Sequence, residues 1–434
     1  MRVLLVAFGL ALAQPAQAVN WLIIEATEPA EAPRFGAYAA ISLEYQATQD
    51  TPLLAGAWSG QADQFNRFAP NYASGHVLRI PAAVAGVRGQ QGDGLLNYRL
   101  AAVAGDNAIV RGQDGYYGHF ARPLDASLTL SPAPFARLRA GLFRQPLGDD
   151  AMTPQPRYIN LSHVTQQMVQ ERYFLSDGSV NGSPNLDLGP VSAFRDFGLQ
   201  VFGAFAAAQW EHSYAVMAGM GTGVDPSLNH VGIDKYVYWS SERIFEGKGA
   251  LREGLKLYAW GQAGERHLDE GATQAQQTFA RRRGGLGASL RTGPWSVAAE
   301  WIHASGMIYN GPDGGTLPGN ISNNGELLAG YNVLPTSAAH GGYLDAGYRV
   351  HTALDLRLRY DVLNRGTDSP NTDIRFQALT AGFSVVLAAQ TLLVVDYQFR
   401  RYNAPRLSAS SPTNMLLGGV DDRFGIRLSH GFSL

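Results

Sequence analysis

Arginine recurs at alternate positions through much of this chain. Arg357 and Arg359 stand between Leu356, Leu358 and Tyr360, and Arg137 and Arg139 between Ala136, Leu138 and Ala140. Arg79, Arg99, Arg349 and Arg427 likewise share a face with polar or small residues, and Glu300 stands between Ala299 and Trp301. A guanidinium stays charged at any ordinary pH and offers five donors in a rigid fork. Two kinds of chemistry are open to it: pairing with a carboxylate, or drawing a passing anion. Asp345, Asp355, Asp361, Glu300 and Asp396 lie in similar runs and are the expected counter-charges. As a set, these side chains could give a passage its charge selectivity, because rings of charged groups do so in pores.

Covalent chemistry has no comparable signal. The chain contains no His-Glu-x-x-His, no Gly-x-Ser-x-Gly and no phosphate-binding Gly-Lys loop. It has no cysteine, which excludes thiolate metal sites, disulfides, iron–sulfur clusters and covalently attached c-type haem. The ten histidines are scattered; His212, His303 and His351 fall near inferred strand or turn boundaries and read as local hydrogen-bonders. The Gly/Asn-rich stretch Asn310–Glu326 could hold a surface calcium but lacks regular ligand spacing. A net charge of −2 argues against a nucleic-acid partner, which needs a basic surplus. No cofactor, no catalytic residue and no metal site is expected.

The elements that must carry the arginines are strands. From Phe35 to Ala47, odd positions give Phe, Ala, Ala, Ile, Leu, Tyr and Ala, and even positions give Gly, Tyr, Ala, Ser, Glu and Gln. That period of two puts the two sets on opposite faces of a strand. The same alternation marks strands near 34–47, 76–88, 95–105, 118–131, 135–143, 194–206, 209–221, 254–264, 281–291, 294–305, 341–350, 352–364, 374–386, 389–401 and 422–433. Connections are very short at Ser131–Pro134, Arg291–Pro294, Val350–Ala353 and Leu387–Gln390, and long at Thr48–Gly75, Arg144–Ala193, Ile308–His340 and Asn403–Asp421. Short turns on one side with long loops on the other are the pattern of a transmembrane barrel, which has an even strand number. A further strand over Gly232–Trp239 restores that parity and brings the total to sixteen, enough for a water-filled channel. A soluble β-sandwich or solenoid is the rival architecture, but its strands are shorter and seldom put Arg on nearly every polar face. Tyr45, Tyr98, Tyr238, Trp239, Trp295, Trp301 and Tyr360 are candidates for an interfacial girdle.

At the N-terminus, Arg2, the apolar run Val3–Ala13 and Ala16-Gln17-Ala18 have the form of a signal peptide with a small-x-small cleavage site after Ala18. Residues 19–33 then form a short periplasmic segment, and 34–434 an outer-membrane β-barrel. The loop Arg144–Ala193 is broken by several prolines, has room for a short helix over Ser162–Arg172, and either folds inward to narrow the pore or lies on the surface.

Several phrases carry a family likeness. Ala136-Arg-Leu-Arg-Ala-Gly-Leu-Phe-Arg-Gln-Pro-Leu-Gly148, Arg195-Asp-Phe-Gly-Leu-Gln-Val201, Ala298-Ala-Glu-Trp-Ile302, Gly341-Gly-Tyr-Leu-Asp-Ala-Gly-Tyr-Arg349 and Leu356-Arg-Leu-Arg-Tyr-Asp361 together resemble the phosphate-selective porin O/P family over most of the chain. The resemblance implies a sixteen-stranded barrel, usually a homotrimer, with an inward loop and an Arg-lined anion path. It places Arg137 and Arg139 on the channel wall beside the constriction, and makes Arg144, Arg157 and Arg172 the cations of the constriction loop. Two departures stand out. The loop has no Lys and carries Asp149, Asp150, Glu171, Asp177 and Asp187 against its three arginines, and the chain ends in Leu434 where the family usually ends in an aromatic. The expected function is passive diffusion of small hydrophilic solutes, anions preferred, through a barrel held by outer-membrane lipid. The alternatives are a barrel that houses a periplasmic partner or plugs itself with its own loops, and an outer-membrane barrel enzyme with a Ser/His/Asp-type constellation at one rim.

Overall fold

Fifteen of the sixteen wall strands are built from the alternation read above. The computed structural model describes residues 20–28, 32–56, 58–68, 70, 72, 75–112, 119–153, 158–174, 176, 191–226, 232–247, 252–270, 275–310 and 332–433. Sixteen antiparallel strands close into one barrel. They are β1 (Gly36–Thr48), β2 (His76–Gln91), β3 (Leu96–Ala104), β4 (Ala121–Ala133), β5 (Ala136–Arg144), β6 (Arg195–Ala207), β7 (Trp210–Gly219) and β8 (Asp234–Glu246). They continue with β9 (Glu253–Glu270), β10 (Ala275–Thr292), β11 (Trp295–Ser305), β14 (Ala338–His351), β15 (Leu354–Arg365), β16 (Ile374–Ala388), β17 (Thr391–Asn403) and β18 (Arg423–Ser433). The two short strands β12 (Ile308–Tyr309) and β13 (Val333–Leu334) pair with each other inside the connection from β11 to β14. Closure comes from β1 lying against β18, with Tyr38 opposite Ser433 and Thr48 opposite Arg423. A closed wall leaves no unpaired strand edge, the condition for a sheet to sit in lipid.

The strand expected over Gly232–Trp239 is present as β8, so the parity argument gave the correct count. The main difference lies in β9 and β10. The inferred ends near 264 and 281 become a continuous hairpin of two 18-residue strands, in register from Gly254–Arg291 to Glu270–Ala275. Polar residues such as Gln276, Gln277 and Thr278 hid this extension, because beyond the apolar band a strand keeps its ladder without alternating in hydropathy. Turns and both barrel termini lie at one end. The strand ends Thr48, His76, Ala104, Ala121, Arg144, Arg195, Gly219, Asp234, Ser305, Ala338, Arg365, Ile374, Asn403 and Arg423, from which the long connections leave and to which they return, lie at the other.

The exposure pattern is inverted relative to a soluble protein. Leu358 is 49% exposed and Leu356 45%, while their neighbours Arg357 and Arg359 are 6% and 3%. Leu128, Leu199, Leu286, Leu344 and Phe399 extend the same outward apolar face around the barrel. Trp239, Trp295, Trp301 and Tyr360 also point outward. Tyr238 does not: it is buried and faces inward, because Trp239 takes the outward phase of β8. A charge on the outward face costs roughly 2–4 kcal/mol at mid-membrane. Leu358→Arg should therefore lower folding stability in lipid vesicles by about that amount in urea titrations, whereas Leu358→Phe should not.

Candidate functional site

The inward face of the wall carries the charged residues, and two stretches of chain fold into the space it encloses. The first is the loop after β5. It leaves Arg144, runs past β9 and β11, touches the far wall, and returns along β10. Lys256 Nζ binds Asp149 Oδ1 at 2.6 Å. The Ile159 N–H donates to Asp396 Oδ2 at 2.6 Å, and Arg359 donates to the Asn160 carbonyl at 3.0 Å. On the return, Arg283 donates to the Met168 carbonyl at 2.6 Å and Arg281 to that of Val169 at 3.0 Å, while Arg266 pairs with Glu171 at 3.1 Å. The described part of the loop is thus inward. A five-residue helical turn, Thr165–Val169, occupies the stretch that left room for a helix.

Glycine and aromatic residues build the seat for this loop. Tyr258 and Trp260 on β9 face Gly287 and Gly285 on β10 in register. A Cβ at either glycine would overlap the ring beside it, so the rings lie flat on bare backbone. Trp260 Nε1 then donates to Glu300 Oε1 at 2.7 Å, and Tyr343 Oη to Glu300 Oε2 at 3.0 Å. Gly148 of the loop rests on that carboxylate, where any side chain would collide with it. Glu300, expected as a pore-lining counter-charge to the arginines, is accordingly buried beneath the loop with Trp260 and Tyr343 as its donors.

The second stretch is the N-terminal segment. Residues expected as a periplasmic lead-in turn instead into the barrel. Trp21 and Leu22 of a one-turn helix are buried in the same apolar cluster as Phe143, Leu147, Met152 and Phe202. Asn20 donates to Ser213 Oγ at 2.6 Å and to Glu211 Oε1 at 3.1 Å. Glu25 pairs with Arg99 at 3.1 Å, and Glu28 with Arg88.

All the expected wall arginines point inward, and the structure gives most of them carboxylate partners. Arg79 and Arg427 grip the two oxygens of Glu44 at 2.6 and 2.5 Å. Arg349 pairs with Asp355 at 3.3 Å, Arg357 with Asp345 at 3.4 Å and Arg359 with Asp361 at 2.8 Å. Arg139 is 2% exposed, donates to Ser127 Oγ at 3.0 Å and stacks over Phe143 at 4.7 Å. Arg137 binds the Pro134 carbonyl and lies 6.0 Å from the Phe202 ring. It does not stand beside the constriction. The loop departs from the opposite end of β5, seven residues away, roughly 23 Å at the rise of an extended strand. Two loop arginines serve the fold of the inward chain itself. Arg144 donates to the Ala151 carbonyl at 2.7 Å, and Arg172 to that of Gln166 at 2.6 Å while stacking on Tyr309. Arg157 and the stretch Gly311–Glu326, with the calcium reading, lie outside the described residues, as do residues 1–19 with the expected signal peptide. His212 hydrogen-bonds Ser241 Oγ at 2.8 Å, a local role as expected.

Sequence reasoning missed Arg266, Arg281, Arg283, Lys256, Glu44 as a hub, and the segment around Trp21. Arg281 and Arg283 carry the alternation signal, in phase with Gly285, Gly287 and Ser289, but Arg282 between them blurs it into a charge run. Trp21 has no sequence signal, because four helical residues show no period.

At the loop end, the connection from β1 to β2 closes over the wall. Arg400 donates to the Phe65 carbonyl at 3.2 Å and Asn66 Oδ1 at 3.0 Å, and the Asp421 N–H also donates to Asn66 Oδ1 at 2.8 Å. Asp63 caps this turn by accepting from the Phe65 N–H. Burial raises its carboxyl to about 7, aided by Asp421 and opposed by that N–H bond and Arg400. The folded carboxyl therefore holds its proton above the ordinary value of 3.8, so docking of this loop is strongest below that pH and weakens as pH rises through 7. Exchange of the Phe65 amide should be slower at pH 5 than at pH 8 after correction for intrinsic rate. Asp63→Asn, which keeps the cap acceptor, should abolish the difference.

No protein-family model matches the sequence, and no curated protein matches it at significant similarity. Solved structures do match. OmpF of Salmonella typhi, in complex with daunomycin, aligns with a TM-score of 0.56 at 12% identity, covering 94% of this chain and all of that one. An anion-selective porin from Comamonas acidovorans aligns at 0.52 and 13% identity, covering 92% and 99%. OmpT, an outer membrane protein of Vibrio cholerae in its trimer form, aligns at 0.50 and 10% identity, covering 94% and 100%. The chain shares the closed sixteen-stranded antiparallel barrel of outer-membrane porins.

Proposed function

We propose that this protein is a passive outer-membrane channel for small hydrophilic solutes, with a preference for anions. One observation carries the preference. In the pairs that Arg79 and Arg427 make with Glu44, Arg88 with Glu28, Arg99 with Glu25 and Arg349 with Asp355, the guanidinium is the more solvent-exposed member and the carboxylate the more buried. Side-chain exposure is 31% for Arg349 against 11% for Asp355, 19% for Arg99 against 7% for Glu25, and 16% for Arg427 against 0% for Glu44. Water in the lumen therefore meets the positive ends of these pairs. Asp149 and Glu211 are the more exposed members of their pairs with Lys256 and Arg252, as are Asp345 and Asp355 in theirs with Arg357, which keeps the preference mild. As a channel the protein carries out no reaction and needs no cofactor.

Phosphate is the narrower reading that the family resemblance brings. Against it, Lys256 is already held by Asp149, so the lumen has no lysine free for a phosphate in the described residues. A homotrimer is supported by the trimeric form of the OmpT barrel, and an export route by the N-terminal pattern. Reversal potential in a potassium chloride gradient across a planar bilayer tests the preference. The expected sign is anion-selective, with chloride current little affected by added phosphate. A cation-selective reversal would contradict the reading, and strong phosphate block would restore the family's substrate.

A further inference from the structure

We infer that residues 20–28, at the turn end of the barrel, set both the bore and the charge selectivity of this channel. The inference rests on the channel reading above. Three observations converge on it. The segment is inserted: Trp21 and Leu22 are 9% and 7% exposed, although they belong to a helix of only four residues that has no stability of its own. It packs on lumenal Phe143 and Phe202 and on Met152 of the inward loop, so segment and loop together fill the space between the β3–β7 wall and the loop. A cavity of about 320 Å³ remains toward the turn end, lined by Ile23, Ile24, Arg137, Glu211 and Arg252.

The second observation is charge. The segment brings two carboxylates to three guanidiniums of the wall. Glu25 pairs with Arg99 at 3.1 Å, and the Glu25 carbonyl accepts from Arg139 at 3.3 Å. Glu28 accepts from Arg88 through Oε2 at 2.6 Å, and its N–H donates to Asn97 Oδ1 at 2.8 Å. Without the segment, Arg99 would keep Asp125 at 3.7 Å, a carboxylate already shared with Arg195 at 3.4 Å, and the Glu25 and Glu28 charges would be gone from this part of the wall. Third, the attachment is polar at both ends and apolar in the middle. Asn20 binds Ser213 and Glu211, while the Ala32 and Arg34 carbonyls accept from Gln90 and from Tyr98. This fixes one position over the arginine wall. A segment that covers both volume and charge must lower conductance and mask positive potential at once.

The test uses the full chain in planar bilayers, with heat-modifiable gel mobility as the check of folding. Glu25→Gln with Glu28→Gln leaves the volume unchanged, and should raise the anion-to-cation permeability ratio by about threefold or more with little change in conductance. Deleting residues 20–28 should raise both. Because the chain has no cysteine, Ser213→Cys gives a single reporter under Asn20. A water-soluble thiol reagent should label it slowly in the full chain and at least about tenfold faster in the deletion. Conducting channels whose selectivity and conductance are the same with and without the changes would overturn the inference while leaving the channel reading intact. So would equal labelling of Ser213→Cys in the two backgrounds. A closed full chain beside a conducting deletion would support the inference, with the segment as a plug, and would overturn the passive-channel reading of the full chain. Folded barrels that never conduct, deleted or not, would remove the channel reading and this inference with it.

Discussion

Replacing Arg283 with alanine should release the inward loop and raise single-channel conductance. Arg283 lies on β10, is 5% exposed, and donates to carbonyls of two different connections: Met168 at 2.6 Å, Gly306 at 2.9 Å and Met307 at 2.8 Å. Each buried carbonyl left without a donor costs about 1–3 kcal/mol. The three carbonyls together lose about 3–9 kcal/mol, and the share at Met168, about 1–3 kcal/mol, shifts docking of the inward loop by about fivefold to a hundredfold at tenfold per 1.4 kcal/mol. Lysine should not rescue, since one ammonium cannot reproduce the planar fork that reaches both connections. Arg282 is the internal control. It stands on the adjacent, outward position of β10 and touches none of these carbonyls through its side chain, so Arg282→Ala should leave conductance unchanged. Limited proteolysis within 158–174 gives the parallel readout, with faster cutting expected for Arg283→Ala alone.

The second large effect is expected at Glu44. This carboxylate is fully buried, at the seam where β1 meets both its neighbours: it lies opposite Arg427 on β18 and Arg79 on β2. Both guanidiniums reach it, at 2.5 and 2.6 Å, and Gln46 Nε2 donates to it at 2.6 Å. Glu44→Gln leaves two cations facing each other across the closure. Breaking a buried pair by removing one partner costs about 3–5 kcal/mol. The variant should unfold at markedly lower urea concentration and, where folded, shift its reversal potential toward anions. The double change Glu44→Gln with Arg427→Gln removes one of the two orphaned cations and their mutual repulsion, leaving Arg79, and should recover part of the lost stability, the signature of direct coupling. Equal stability of the two variants would show that the triad does not hold the seam.

Much of the wall was legible in the sequence because lipid and lumen impose opposite demands on alternate residues. Leu356 to Asp361 could be assigned to faces by inspection, and the structure keeps every one of those assignments. Strand β8 was harder, since Tyr236 and Tyr238 face inward while Val237 and Trp239 face outward; with aromatics on both faces, hydropathy alone has no phase there, and parity was needed to place it. The contents of the lumen were not legible. Ile159, Met168 and Trp21 find their partners 100 or more residues away, through carbonyls, bare glycine backbone and single side chains rather than through any periodic pattern. Arg137 shows the limit of carrying a role over by phrase. Its motif position put it beside the constriction, but the direction of β5 sends the loop out from the other end.

Swelling of proteoliposomes in solutions of graded sugars and small organic acids tests the central claim most directly, because it reads passage of solute without applied voltage. The account predicts swelling with small solutes that falls steeply with solute size, and a faster rate for an anion than for a neutral solute of equal size. Folded barrels that admit neither, while vesicles with an established porin swell in the same preparation, would contradict it.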